Sequence, residues 1–120
     1  MKTRILIVDD DANIRDLLRN RLEANGYEVI SADNGLDGLR TIKSVRPDLV
    51  ITDVYMPHLD GLTFFQELQS DDELRSIPLL VITGVKSMRD VFEPTRMAKF
   101  LPKPFEGKEL LASVEECMNY

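Results

Sequence analysis

The sequence is poor in cysteine and has no long apolar run. Its one cysteine, Cys117, cannot form a disulfide within the chain, which suits a reducing compartment. No segment approaches the roughly 20 apolar residues that cross a bilayer. The N-terminus carries no signal-like run followed by a small-residue cleavage site. We therefore expect neither export nor membrane insertion, and we predict a cytoplasmic location.

Positive charge is also scarce. Against 21 Asp and Glu residues stand 15 Lys and Arg residues, which gives a net charge of −6. Binding to nucleic acid requires a basic surface, so direct nucleic-acid binding by this chain is disfavoured. The sequence also lacks internal repeats and linkers rich in serine and glycine. The chain has 120 residues, of which 43% are hydrophobic. This length fits the core of one domain, so we predict one domain over residues 1–120.

Short apolar runs alternate with helical patterns along the chain. Runs typical of strands buried on both faces occupy residues 5–8, 49–51 and 79–82, and weaker runs at 29–30 and 100–101 indicate a second strand and a very short fifth one. Apolar residues at helical spacing predict helices within 14–22, 36–45, 62–68 and 110–118. A fourth helix, between residues 87 and 99, is expected to be short or broken because Pro94 interrupts it. This alternation predicts a parallel sheet covered by helices on both faces.

The first two helices have recognisable ends and apolar faces. Asp11 can cap the start of the first helix and Gly26 can end it. The second helix is expected to stop before Pro47. The predicted apolar faces are Ile14, Leu17, Leu18 and Leu22 in the first helix and Leu36, Leu39, Ile42 and Val45 in the second.

Polar residues follow the predicted strands at the end where parallel α/β sheets bind ligands. In chain order they are Asp9, Asp10 and Asp11, then Asp53, then Thr83 and Gly84, and finally Lys103. Each alone is explained as a turn, strand-end or capping residue. Together, their carboxylates would repel one another without a cation, and an all-oxygen ligand set suits Mg²⁺. Such a set is typical of phosphoryl transfer, in which a carboxylate can be the nucleophile.

Four sequence blocks resemble the receiver domains of two-component response regulators. They are ILIVDDD at 5–11, DVYMPHLDG at 53–61, VITG at 81–84 and FLPKPF at 100–105, and they occur in the family's order across the whole chain. The resemblance implies an α/β, flavodoxin-like doubly wound fold: a five-stranded parallel sheet in the order 2-1-3-4-5 with five surrounding helices, the fourth short or irregular. It implies a phospho-acceptor switch, and not an enzyme that turns over other substrates.

The same resemblance implies a role for each residue of the site. Asp53 would accept a phosphoryl group from the phosphohistidine of a sensor histidine kinase or a phosphotransfer protein. Mg²⁺ would be held by Asp9, Asp10, Asp53 and the backbone carbonyl of Tyr55. The remaining implied roles are phosphate binding by Thr83, Gly84 and Lys103, switching by Thr83 and Phe100, and a cis peptide bond before Pro104.

Phosphorylation would change a surface that an unidentified downstream protein reads. The chain would be either a stand-alone receiver or part of a longer regulator. The stretch at 93–99 lacks the small-residue and glycine pattern usual before the fifth strand, so the output face is expected to differ from that of typical members. Tyr55 and Val85 stand two residues after Asp53 and Thr83, at positions that the resemblance implies tune hydrolysis of the acyl phosphate. Because both side chains are bulky and mostly apolar, we expect them to shield the acyl phosphate from water and to make its hydrolysis slow.

Two functions of other classes stay open at this point. A Mg²⁺-dependent phosphatase with an aspartate nucleophile would require a second carboxylate where Tyr55 stands. A flavin-binding electron carrier would require a loop rich in Ser, Thr and Gly after the first strand, where three aspartates stand. We interpret His58 as a solvated loop residue and Cys117 as a packing residue.

Overall fold

A parallel sheet flanked by helices forms the described part of the chain. The computed structural model describes residues 3–53, 66–83, 98–102 and 105–118. Its elements are β1 (Arg4–Val8), α1 (Ala12–Glu23), β2 (Glu28–Ala32), α2 (Gly35–Val45), β3 (Leu49–Asp53), β4 (Leu79–Thr83), β5 (Ala98–Pro102) and the C-terminal helix (Gly107–Met118). Residues 66–69 are also helical. None of the described helices is long and apolar enough to cross a membrane.

The strands lie in the order β2-β1-β3-β4-β5, and every neighbouring pair is parallel. This order confirms the predicted flavodoxin-like fold and puts β3 at the centre of the sheet. Because all the strands run the same way, their carboxyl ends meet at one edge. The order changes direction between β1 and β3, and ligands bind at such a point in doubly wound sheets.

The hydrophobic core covers both faces of the sheet, because successive side chains of a strand point to opposite sides. On one face, α2 and the segment at 66–77 pack against the sheet through Ile42, Leu68 and Leu74. On the other face lie α1 and the C-terminal helix, through the buried residues Leu18, Leu22, Leu110, Val114 and Cys117. Burial of β1, β3 and β4 on both sides confirms the prediction from their continuous apolar runs. The packing role predicted for Cys117 is confirmed as well.

Local backbone geometry explains where the first two helices end. The Asp11 carboxylate accepts a hydrogen bond from the backbone N–H of Asn13 (2.9 Å), which confirms Asp11 as the cap of α1. Gly26, just beyond α1, has a φ of 89°, a conformation that a residue without Cβ adopts at little cost. The helix α2 stops before Pro47 as predicted, and Arg46 ends it in the left-handed conformation.

Two leucines assigned to apolar helix faces are not in the core. Leu17 is 44% exposed and Leu36 is 46% exposed, so the prediction was wrong for both. Leu18 and Leu22 direct α1 onto the sheet, which leaves Leu17 beside a surface groove that Phe105 also lines. Leu36 lies in the first turn of α2, where glycines are the buried residues.

The fifth strand is longer than the sequence indicated. It spans five residues, whereas the sequence predicts a strand at 100–101 and a broken fourth helix that includes Ala98 and Lys99. Pairing with β4 along its whole length explains the difference, since the strand Leu79–Thr83 offers a partner to each residue. The rest of the predicted fourth helix and the start of the third lie outside the described residues.

Candidate functional site

Three of the predicted site residues lie at the carboxyl edge of the sheet. Asp9 follows β1 directly, Asp53 is the last residue of β3, and Thr83 is the last residue of β4. Val8 at the end of β1 pairs with Thr52 of β3. The next residue of each strand follows the same register, which puts Asp9 beside Asp53. The sheet therefore brings the first and third strand ends together as the sequence predicted.

Asp9 is a buried carboxylate with a defined hydrogen-bond environment. Only 2% of the residue is exposed. Its backbone N–H donates to the carbonyl of Ala32 (3.2 Å), and its carbonyl accepts a bond from Nη1 of Arg15 (2.7 Å). Its Oδ1 accepts the backbone N–H of Asp11 (2.9 Å). Asp9 is thus held at its N–H, its carbonyl and its side chain.

Asp10 and Asp11 are both exposed, but they have different surroundings. Asp11 caps α1 through its carboxylate, as described above, and this role accounts for its position. Asp10 lies between the buried Asp9 and the capping Asp11. Its side chain is therefore placed at the surface of the same edge, where it remains a candidate ligand.

Asp53 ends the central strand and is half-buried. It pairs with Ile82 of β4, and its carbonyl accepts a hydrogen bond from the hydroxyl of Thr52 (3.0 Å). Alternation along β3 puts Asp53 on the same face of the sheet as Ile51, the face covered by α1. Asp53 is thus more accessible than Asp9, although the two terminate neighbouring strands.

The carboxylate oxygens of the acidic residues are ligands that a hard cation prefers. The described acidic side chains do not, however, form a cluster of three. In the described ranges, no group of three or more His, Cys, Asp or Glu side chains is placed to hold a metal ion. Proteins commonly bind Mg²⁺ through one or two carboxylates and let water complete the octahedron. The oxygen donors of Asp9, Asp10 and Asp53 fit that mode of binding.

The other predicted site residues are described only as backbone or not at all. Thr83 pairs with Pro102, and Phe100 pairs with Val81, so both belong to the two strands on the far side of Asp53. Lys103 directly follows the end of β5 in the sequence. The residues outside the described ranges are Tyr55, Gly84, Lys103 and Pro104, together with His58 and Val85.

Sequence reasoning missed one residue of this region, Arg15. It lies in the second turn of α1, and its guanidinium reaches back to the end of β1. The same side chain lines a surface cleft of about 310 Å³ together with the end of β2, Asp33, and Asp37 and Thr41 of α2. A polar residue four positions after a helix cap is common, so its spacing alone does not identify a role.

The comparison with protein families decides what this chain is. The model of the response regulator receiver domain matches residues 5–115. The chain belongs to this family. Receiver domains of two-component response regulators act as phospho-acceptor switches that interact with histidine kinases and downstream effectors.

Individual relatives agree with this assignment. Response regulator MprA of Mycobacterium ulcerans is 42% identical over 121 residues, an alignment that covers 99% of this receiver domain and 51% of MprA. The crystal structure of a candidate response regulator from Chloroflexus aurantiacus is 32% identical, with a TM-score of 0.93 and complete coverage of both chains. The chain spans about half the length of the curated relatives it matches.

A second solved structure shows the same fold at lower identity. It is the receiver domain of sensor histidine kinase PA1611 from Pseudomonas aeruginosa, 23% identical with a TM-score of 0.89 and complete coverage of both chains. In that protein, a magnesium ion is coordinated in the active site cleft.

Proposed function

We propose that this receiver domain accepts a phosphoryl group on Asp53 from the phosphohistidine of a sensor histidine kinase or a phosphotransfer protein. The observation that carries the proposal is the place of Asp53 in the fold. It ends the central strand at the ligand-binding edge, and it is half-buried. On one side lies the strand that leads into Asp9, and on the other lies the strand that ends at Thr83.

The reaction transfers a phosphoryl group from an imidazole nitrogen of the donor histidine to a carboxylate oxygen of Asp53. A carboxylate oxygen of Asp53 attacks phosphorus, the P–N bond to the donor histidine breaks, and the electron pair stays on the imidazole nitrogen, which then takes up a proton. The product is an acyl phosphate. Its formation brings a phosphoryl group of negative charge into an acidic site, so charge neutralisation and positioning dominate the barrier.

Mg²⁺ is the cation that these residues would hold. The proposed ligands are the carboxylates of Asp9, Asp10 and Asp53 with the backbone carbonyl of Tyr55. When bound, Mg²⁺ neutralises carboxylate and phosphoryl oxygens. The oxygen-only donor set supports this assignment, as does the magnesium ion in the receiver domain of PA1611. The burial and hydrogen bonds of Asp9 would keep one ligand in place before the metal arrives.

The switch is proposed to run through the strands on the far side of Asp53. Thr83, Gly84 and Lys103 would bind the new phosphate, and Pro104 would follow Lys103 through a cis peptide bond. Thr83 would move its hydroxyl toward the phosphate, and Phe100 on β5 would move inward in response. The positions of Thr83 at the end of β4 and of Phe100 on the paired strand support this route.

The output is proposed to be a protein contact made in the cytoplasm. The net charge of −6 opposes direct nucleic-acid binding by this domain. The curated relatives are about twice as long as this chain. We propose that this domain takes part in signalling by presenting its altered surface to a downstream protein, without turnover of small substrates.

The test is an intact mass measured after incubation with Mg²⁺ and acetyl phosphate. Wild type is expected to gain one phosphoryl group, chelation of Mg²⁺ is expected to prevent the gain, and Asp53→Asn is expected to abolish it. Asp72→Asn is the matched control, because the Asp72 side chain is 86% exposed and lies in the turn before β4. Continuous phosphate release from a generic ester by the wild type, or a gain retained in Asp53→Asn, would contradict the proposal.

A further inference from the structure

Arg15 makes a contact that the proposed chemistry does not account for. Its Nη1 donates a hydrogen bond of 2.7 Å to the carbonyl of Asp9, and the bond is partly buried. Side chains of a helix tilt toward its N-terminus, which brings Arg15 over the turn that joins β1 to α1. That turn consists of Asp9, Asp10 and Asp11, and the hydrogen bond from Arg15 connects its first residue to α1.

At 2.7 Å, the bond from Arg15 is shorter than the bonds that Asp9 makes with Ala32 (3.2 Å) and Asp11 (2.9 Å), and its donor is charged. Hydrogen bonds with a charged partner contribute more to stability than hydrogen bonds between neutral groups. The backbone N–H bond to Ala32 ties Asp9 to β2, and the bond from Asp11 fixes the Asp9 carboxylate. Arg15 supplies the link between this arrangement and the body of α1.

Two roles for Arg15 predict opposite effects on a cation at this edge. If Arg15 acts through charge alone, its guanidinium repels a metal ion nearby, and removing it should tighten metal binding. If Arg15 acts by holding the turn, removing it should weaken metal binding even though a positive charge is lost. The sign of the change therefore separates the two roles.

We propose that Arg15 is a positioning residue that holds the turn bearing Asp9 and Asp10 in its metal-binding conformation. This inference rests on the proposed function, since it assumes that these carboxylates bind Mg²⁺. Arg15 also borders a surface cleft of about 310 Å³. Its truncation therefore leaves no cavity inside the core, and the variants are expected to fold.

Arg19 provides a matched control on the same helix. It lies one turn after Arg15, and its guanidinium donates to the hydroxyl of Ser31 (2.9 Å) and pairs with Glu23. Arg19→Gln removes the same charge as Arg15→Gln without touching the bond to Asp9. Arg15→Lys keeps the charge and one donor, so it tests whether the bond can be restored.

The experiment is a calorimetric titration with MgCl₂ alone, with circular dichroism to check that each variant is folded. Arg15→Gln is expected to weaken Mg²⁺ binding about tenfold, the size that loss of one charged hydrogen bond produces. Arg15→Lys is expected to recover part of this loss, and Arg19→Gln should bind within about twofold of wild type because no bond to Asp9 is lost. At saturating Mg²⁺, Arg15→Gln is expected to reach the wild-type extent of phosphorylation by acetyl phosphate.

The outcomes separate the two proposals. If wild type binds Mg²⁺ and Arg15→Gln binds it equally well or more tightly, the role of Arg15 is overturned and the proposed function stands. If Arg19→Gln weakens binding as much as Arg15→Gln, the loss is not specific to the bond with Asp9, and the positioning role of Arg15 is overturned. If wild type itself binds no Mg²⁺, the metal site of the proposed function fails, and the inference fails with it. Should Arg15→Gln prove unfolded, Arg15→Lys decides: it must bind Mg²⁺ more weakly than wild type if the bond from Nη1 to the Asp9 carbonyl holds the turn, because an ammonium does not reproduce the guanidinium geometry.

Discussion

Asp9 and Asp53 carry the same functional group but have different access to solvent. Asp9 is 2% exposed and is held by hydrogen bonds at its N–H, its carbonyl and its carboxylate, whereas Asp53 is half-buried at the end of the central strand. A phosphohistidine on another protein must reach its acceptor, which favours Asp53 over Asp9. A buried and fixed carboxylate is suited to holding a cation in one place. Burial thus distinguishes two aspartates that the sequence pattern treats alike.

Asp10 and Asp11 are neighbours with different predicted tasks. Replacing the Asp11 carboxylate should cost about 1 kcal/mol in the free energy of unfolding, because Asp11→Ala removes the cap of α1. Asp11→Asn keeps a capping oxygen and should be nearly neutral. Urea denaturation measures both, and both variants should still be phosphorylated on Asp53. A loss of phosphorylation in a folded Asp11→Asn variant would show that Asp11 belongs to the metal site.

At the level of single elements, α1 joins the core to the acidic edge. Its cap and Arg15 contact the turn after β1, while Leu18 and Leu22 are buried against the sheet. The N-terminal end of α1 therefore contacts the turn that bears the site, and the part of the helix from Leu18 onward packs in the core. The sequence pattern identified the buried leucines but also included Leu17, because helical spacing does not reveal how wide the contacted face is.

This division predicts unequal costs for two leucines on the same helix. Leu22 is 0% exposed, so Leu22→Ala should lower the free energy of unfolding by about 2–5 kcal/mol. Leu17→Ala should change it by less than about 0.5 kcal/mol, as for most surface substitutions. Chemical denaturation compares the two variants directly. Equal losses for both would contradict the placement of α1 on the sheet.

At the scale of the whole molecule, the sheet could be predicted from the sequence, but the contacts that support the site could not. Continuous apolar runs at 5–8, 49–51 and 79–82 correspond to β1, β3 and β4, because strands buried on both faces leave no polar alternation. Placing Asp9 and Asp53 at one edge followed from parallel topology. The bond from Arg15 to Asp9 depends on how α1 is placed over the turn, which no local pattern encodes.

The proposed metal site also predicts a property of the whole fold. A ligand that binds only the folded state stabilises it, by about 2.7 kcal/mol when its concentration is 100 times its Kd. Mg²⁺ should therefore raise the Tm of wild type, and EDTA should reverse the rise. Asp10→Asn, which removes an exposed proposed ligand without disturbing the core, should show a smaller rise. An equal rise in both proteins would place the binding of Mg²⁺ elsewhere.

The central claim is that Asp53 is the phosphoacceptor, and locating the acyl phosphate tests it most directly. The domain would be phosphorylated with acetyl phosphate and Mg²⁺, reduced with borohydride to convert the aspartyl phosphate to homoserine, digested, and sequenced by tandem mass spectrometry. We predict homoserine at position 53 in the wild type. Homoserine at position 9 or 10, or none at any position in a protein whose mass shows phosphorylation, would contradict the claim.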